Sequence, residues 1–218
     1  MASTAFSVFE QIGAGRVAAA LTASGARTAV ADPALAAEEN DWEDYSHRRL
    51  REALHTLDDR SRDIVEHGTC LAESCGVIGG PQVRNVATLA GNIAHALPAG
   101  DGTIGLLALG GEIEVAGVDG NRWMPLQESF KGPGKSFIDR YRQILTRLRF
   151  RPTGPGEGSA HHRVMRPQGL CLPIISMGVR VALDAMDQIS EARISMGPVG
   201  PVPYLAEAAM DVLAGGPA

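Results

Sequence analysis

From about residue 68 onward, glycine-punctuated segments alternate with short strand-like runs, and this restricts the fold more than any other feature. Glu112 to Val118 alternates with a period of two and ends at Asp119-Gly120, a strong hairpin signal ahead of Trp123. Ile144 to Phe150 alternates apolar with polar or basic residues, as a half-buried strand does. A Gly/Pro-rich loop, Thr153 to Ser159, follows and is expected to mark a subdomain boundary. Val179, Val181 and Leu183 predict one further strand and Ile189 to Met196 another. Tyr204 to Leu213 predicts a closing amphipathic helix ended by Gly215-Gly216. The expected class is α+β with antiparallel strands and no internal repeat.

The first third of the sequence has a different character. Residues 1–31 are rich in Ala and Gly with almost no charge. Val8, Ile12, Val17 and Leu21 fall on one side of a possible helix from Ser7 to Ala23, weakened by Gly13 and Gly15. Residues 32–67 hold 11 acidic and 5 basic residues, a local balance of −6, within a chain whose net charge is −5. Trp42, Leu50, Leu54 and Leu57 recur at helical spacing, and Asp58-Asp59 would stop one helix and cap the next. The expectation is an acidic helix–turn–helix pair.

Charge and composition exclude several functions as defaults. A mildly acidic chain is not expected to bind nucleic acid or an anionic membrane. The densest apolar runs, Ile104 to Leu109 and Leu170 to Ile175, fall far short of the roughly 18 residues that span a bilayer, and MASTAFSVFEQ lacks a basic leader. Three cysteines, Cys70, Cys75 and Cys171, give neither a disulfide framework nor a zinc-binding pair. A cytoplasmic, reduced protein is expected.

The informative stretch is PQVRNVATLAGNIAHALPAGD, Pro81 to Asp101. Ala87, Thr88, Ala90 and Gly91 are small enough to let the backbone approach a ligand, and free N–H groups in such a turn bind phosphate. Thr88 and Asn92 would add side-chain hydrogen bonds, and Asp101 would accept from a ribose hydroxyl. By itself the run reads more often as a turn entering a helix than as a ligand site.

The run QVRNVATLAGNIAHALPAGD resembles the second flavin-binding loop of the FAD subunits of xanthine dehydrogenase-type molybdenum hydroxylases, including the medium subunits of carbon monoxide dehydrogenase. LLALGGEIEVAG is similar to the helix and strand that follow it, and PLQESFKGPGKS to a later Phe-x-Gly-Pro-Gly-Lys segment. RVMRPQGLCLPIISMGVRVAL and ISEARISMGPVGPVPYLAEAAMDVLAG resemble the start and end of the family's C-terminal subdomain, so the likeness runs from Leu71 to Gly215. One departure is Ala90, where the family usually has Gly. The resemblance implies an FAD-binding type-2 (PCMH-like) second subdomain at 68–152 and a carbon monoxide dehydrogenase flavoprotein C-terminal-like subdomain at 153–218. Residues 1–67 would precede them as a poorly defined helical segment. It implies FAD as cofactor, with Ala87, Thr88, Leu89, Ala90, Gly91 and Asn92 around the diphosphate and Asp101 at the ribose or adenine end. No catalytic residue and no metal ligand are expected on this chain.

The same resemblance implies partner subunits: a large subunit with the molybdenum cofactor and a small one with 2Fe-2S clusters. Electrons would pass from those clusters to FAD and on to NAD or another acceptor, so the chain would not be active alone. The family's first subdomain, with its Ala-Gly-Gly-Thr-like loop, has no counterpart in the first 70 residues. A truncated, FAD-deficient scaffold that only docks partner subunits is therefore the alternative. Residues 32–65 resemble the linker and first helix of region four in heat-shock sigma factors, without the DNA-reading helix, and no DNA binding follows.

Other residues have two readings. His161-His162 reads as a solvent-facing loop pair more readily than as a metal site. His95 would approach the cofactor or cap a helix. Lys135 and Arg166 would meet a phosphate, flavin or partner, or only solvent. Cys171 is expected in the core, and Cys70 and Cys75 are not spaced as iron–sulfur ligands.

Overall fold

A computed structural model of the protein describes residues 63–64, 66–165 and 172–217. The helices expected at 7–23 and within 32–62, and residues Arg166 and Cys171, lie outside the described residues. Helices α1 (Thr69–Gly76), α2 (Pro81–Val86), α3 (Leu89–His95) and α4 (Asp101–Ala108) come first. Strands β1 (Glu112–Gly117), β2 (Gly120–Pro125), β3 (Phe130–Gly132), β4 (Lys135–Ser136) and β5 (Gln143–Arg149) follow, with a 3₁₀ turn, Leu126–Ser129, between β2 and β3. The chain then forms β6 (Glu157–Met165), β7 (Pro173–Leu183), β8 (Ile189–Gly197), β9 (Tyr204–Leu205) and α5 (Glu207–Leu213).

The hairpin expected at Asp119-Gly120 is present. β1 and β2 pair antiparallel from Glu112↔Pro125 to Gly117↔Gly120, and Gly120 takes a φ of +107° that a side chain would oppose. β5 pairs on the other side of β1 to give the order β2-β1-β5. Alternation turns Ile113 and Val115 inward, and an irregularity in the β1–β5 register at Glu114/Val115 brings Leu148 and Leu145 opposite them; all four are at most 8% exposed. The outer face carries pairs between charged groups. Arg149 donates to Glu112 at 2.6 Å and stacks 4.2 Å from the Trp123 ring, and Thr146 donates to Glu114 at 2.7 Å.

A second sheet has the order β6-β7-β8-β9, antiparallel throughout. α1 and α4 pack against the second sheet, and α4 also contributes Leu106 and Leu107 to the core that holds Ile113 and Val115 of β1; every residue of α4 is buried. The two helices approach closely because Gly105 has no side chain: a Cβ there would sit 2.2 Å from Ser74 Oγ and 2.9 Å from the Cys70 carbonyl. The main core gathers Ile93, Leu106, Leu107, Leu109, Ile113, Val115 and Leu126.

Two local expectations are corrected. The loop after β5 ends at Gly156, and β6 begins at Glu157, inside the stretch read as a boundary. This loop is tied back to the helical layer, with Thr153 N–H and Oγ1 both donating to the His67 carbonyl at 2.8 and 3.1 Å. The closing helix starts at Glu207 rather than Tyr204. Tyr204–Leu205 instead pairs with Ser195–Met196 as a short strand beside β8.

Candidate functional site

The stretch Pro81–Asp101 folds as helix, extended loop, helix. Pro81 opens α2 at a position where its missing N–H costs nothing, and Ala87 and Thr88 are extended at ψ 150° and 152°. Thr88 is the N-cap of α3, its Oγ1 accepting from Gly91 N–H at 2.9 Å. Gly91 and Thr88 are exposed and Ala87 is half-buried. Leu89 and Ala90 pack their side chains against the main core. The extra methyl at Ala90 is therefore directed at the core. The amides of Leu89 and Ala90, in the first turn of α3, have no acceptor within that helix.

Asn92 faces the interior. Its Oδ1 accepts from Thr103 N–H at 3.2 Å and from Thr103 Oγ1 at 3.0 Å. Gly100, the N-cap of α4, has no side chain to offer, so a residue eleven positions from Thr103 caps α4 in its place. The structure thus brings Ala87 through Asn92 into one loop and ties that loop to the start of α4.

Asp101 is the first residue of α4 and only 4% exposed. Its Oδ2 accepts from Arg163 Nη1 of β6 at 2.9 Å. Its Oδ1 lies 3.7 Å from His161 Nε2, beyond hydrogen-bond length, and is buried without a hydrogen-bonding partner among the described residues. Burial pushes the Asp101 carboxyl up, but the facing His161 and Ser176 and the Arg163 charge outweigh it and hold the group below the usual carboxylate range. The carboxylate that the sequence placed at a ribose is thus packed beneath β6.

His161-His162, expected as a loop pair facing solvent, sits on β6. A strand sends adjacent side chains to opposite faces. The His161 ring is 2% exposed and 2.8 Å from Ser176 Oγ, whereas His162 is exposed. His161 N–H donates to Glu73 of α1 at 2.7 Å. Burial raises the Glu73 carboxyl, against the lowering effect of that hydrogen bond and of the two histidines. His95 closes α3 in its last turn, and Lys135 is exposed on β4. Burial pushes the thiols of Cys70 and Cys75 up to about 12, so both stay protonated and inert. Among the described residues no group of three or more His, Cys, Asp or Glu could hold a metal, and no helix is long and apolar enough to cross a membrane.

The sequence reading missed Arg163 and Thr103, and it placed His161 in a solvent-facing loop pair. Exposure alternates along Glu157–Met165, but the less exposed Glu157, Ser159, His161 and Arg163 are polar and Gly158 and Ala160 are poor strand formers, so no hydrophobic alternation marks the strand in the sequence. A cavity of about 420 Å³ at the β1–β2 turn, lined in part by Arg122, Arg142 and Gln143, shares no residue with the loop.

The described residues thus combine the helices α1–α4, a three-stranded and a four-stranded antiparallel sheet, and a small-residue loop before α3. Residues 52–152 match the family described as FAD binding domain in molybdopterin dehydrogenase. The match begins sixteen residues before the expected boundary at residue 68. The xanthine dehydrogenase FAD-binding subunit of Escherichia coli O157:H7 is 31% identical over 139 residues, 63% of this chain and 47% of that protein. The nicotinate dehydrogenase FAD-subunit of Eubacterium barkeri is 26% identical over 156 residues, 71% and 53% of the two chains. Among solved structures, carbon monoxide dehydrogenase from Hydrogenophaga pseudoflava superposes with a TM-score of 0.66 at 25% identity, covering 71% of this chain and 53% of that one. The chain spans about half the length of the curated relatives it matches.

The loop fits the cofactor of this family. Its exposed residues are small, Ala90 turns its methyl to the core, and two backbone amides lack an acceptor. Such amides suit phosphate oxygens.

Proposed function

We propose that this chain binds FAD through Ala87, Thr88, Leu89, Ala90, Gly91 and Asn92 as part of a molybdenum hydroxylase-type oxidoreductase. The observation that supports this most is the family match over residues 52–152, which contains the whole loop. When bound, the flavin would take electrons from iron–sulfur clusters on a partner subunit and hand them to NAD or another acceptor. The chain's own part is to bind and orient. Leu89 and Ala90 amides would donate to the diphosphate, and Gly91 would allow its close approach. Thr88, whose Oγ1 already accepts from Gly91, fixes the entry to α3 and keeps its hydroxyl proton free to donate. Asn92 holds the loop's far end against α4. Asp101 stands behind the loop under Arg163.

The partners proposed are a large subunit with the molybdenum cofactor and a small iron–sulfur subunit, so turnover by the chain alone is not expected. The test is the visible absorbance of the purified chain before and after adding FAD and desalting. A flavin band near one equivalent is the expected result. A colourless chain that does not take up FAD would overturn the reading and leave a scaffold that only docks partners.

A further inference from the structure

We propose that Arg163 and His161 of β6 are positioning residues that set the Thr88–Asn92 loop through Asp101 and the first turn of α4. The path is continuous. Arg163 Nη1 holds Asp101 Oδ2 at 2.9 Å, and the His161 ring, fixed by Ser176 at 2.8 Å, faces Oδ1 from 3.7 Å. Asp101 is the first helical residue of α4, and Thr103, two residues on, gives both its N–H and its hydroxyl to Asn92 Oδ1. There is little slack between them. A Cβ on Gly100 would lie 3.0 Å from Asn92 Oδ1 and 3.1 Å from Thr103 Oγ1.

A carboxylate 4% exposed with one oxygen lacking a hydrogen bond is an expensive way to start a helix. A neutral cap would serve stability as well, because a buried ion pair is weak evidence for stability. What the pair supplies is direction: a guanidinium nitrogen and a carboxylate oxygen meet along a defined line, and that line fixes where α4 begins relative to the second sheet. The loop is tied to that starting point by hydrogen bonds at Asn92 and by Leu89, whose Cδ1 lies 2.8 Å from where a Cβ on Gly102 would sit. The second sheet thereby sets the placement of a loop that belongs to the helical layer. The functional meaning of this coupling rests on the loop being the flavin-binding segment.

The experiment compares the full chain with the double variant Asp101→Asn/Arg163→Met and with Arg163→Lys. The double variant removes both charges together, so no lone buried charge prevents folding. Two readouts are taken, amide hydrogen exchange of the flavin-free protein and FAD affinity by flavin fluorescence. In the double variant the amides of residues 88–93 and 101–104 are expected to exchange at least about tenfold faster while those of β1 and β5 are unchanged. FAD affinity is expected to fall by about tenfold or more, with Arg163→Lys recovering most of both effects. Loop exchange within about twofold of the parent would overturn the proposal. If the parent takes up no FAD at all, the flavin reading fails, and the exchange result alone still decides the coupling.

Discussion

α3 and α4 follow each other in the sequence and are nearly equal in length, yet they are held in opposite ways. α3 buries one residue, Ile93, whereas all eight residues of α4 are buried. The neighbouring α2 leaves Val86 84% exposed and Val83 49% exposed. A ligand-binding loop is drawn from the weakly held part of a fold, where backbone amides stay open. The rigid element nearby gives it a fixed reference. The candidate loop sits at the join, with its entry on α2, its cap in α3 and its far end pinned to α4 by Asn92.

The contrast is broken most strongly inside α4. Asp101→Ala would leave Arg163 buried without its carboxylate and is expected to cost about 3–5 kcal/mol in urea unfolding. Leu106→Ala, at a fully buried site, should cost about 2–5 kcal/mol in the same measurement. If either variant melts like the parent, α4 is not the rigid reference described above.

Acid provides the next test. Asp101 and Glu157 are both held below their ordinary values in the folded chain. For Glu157, burial raises the carboxyl, but the Gly154 amide together with Arg180 and Arg151 outweighs it. Carboxyls lowered on folding contribute stability that is complete above their unfolded values, near pH 4, and is lost as pH falls through the folded ones. Unfolding midpoints measured from pH 6 down to 2.5 should therefore drop at the acid end, and Asp101→Asn should flatten that drop.

Smaller effects are expected where the structure is more open. Thr88→Ala removes the cap of α3 and should cost about 1 kcal/mol, with a larger relative loss in FAD affinity than in stability. Arg149→Ala on the outer face of the first sheet should cost no more than about 1 kcal/mol, since its partner Glu112 is solvent-accessible. Val86→Ala should fall within about 0.5 kcal/mol of the parent.

How far the sequence exposed this arrangement depended on the separation between partners. The β1–β2 hairpin was legible because its signal, Asp119-Gly120 between alternating runs, is local. The loop was legible through its run of small residues and its likeness to a family. The inward role of Asn92 was not, since its partner Thr103 lies on the next helix and an Asn in a Gly-rich turn reads equally as a ligand group. Asp101 was read as facing a ribose because Arg163 is 62 residues away and sits on a strand that local propensity concealed. Alternation with small and polar residues is a weak signal for a strand, and β6 owes its existence to nine paired positions with β7.

α4 completes its burial only when both sheets are in place. Its Leu106 and Leu107 share the main core with Ile113 and Val115 of β1 and Leu126 of the 3₁₀ turn, and Ser195 of β8 donates to the Ile104 carbonyl. A helix shared in this way makes the two sheets thermodynamically one unit, since either would lose its packing partner if the other opened. Heating should then give a single transition for the described residues, with calorimetric and van't Hoff enthalpies in agreement. The 151–156 loop would be a connection within one cooperative body, and cutting it would leave two fragments that fold only together.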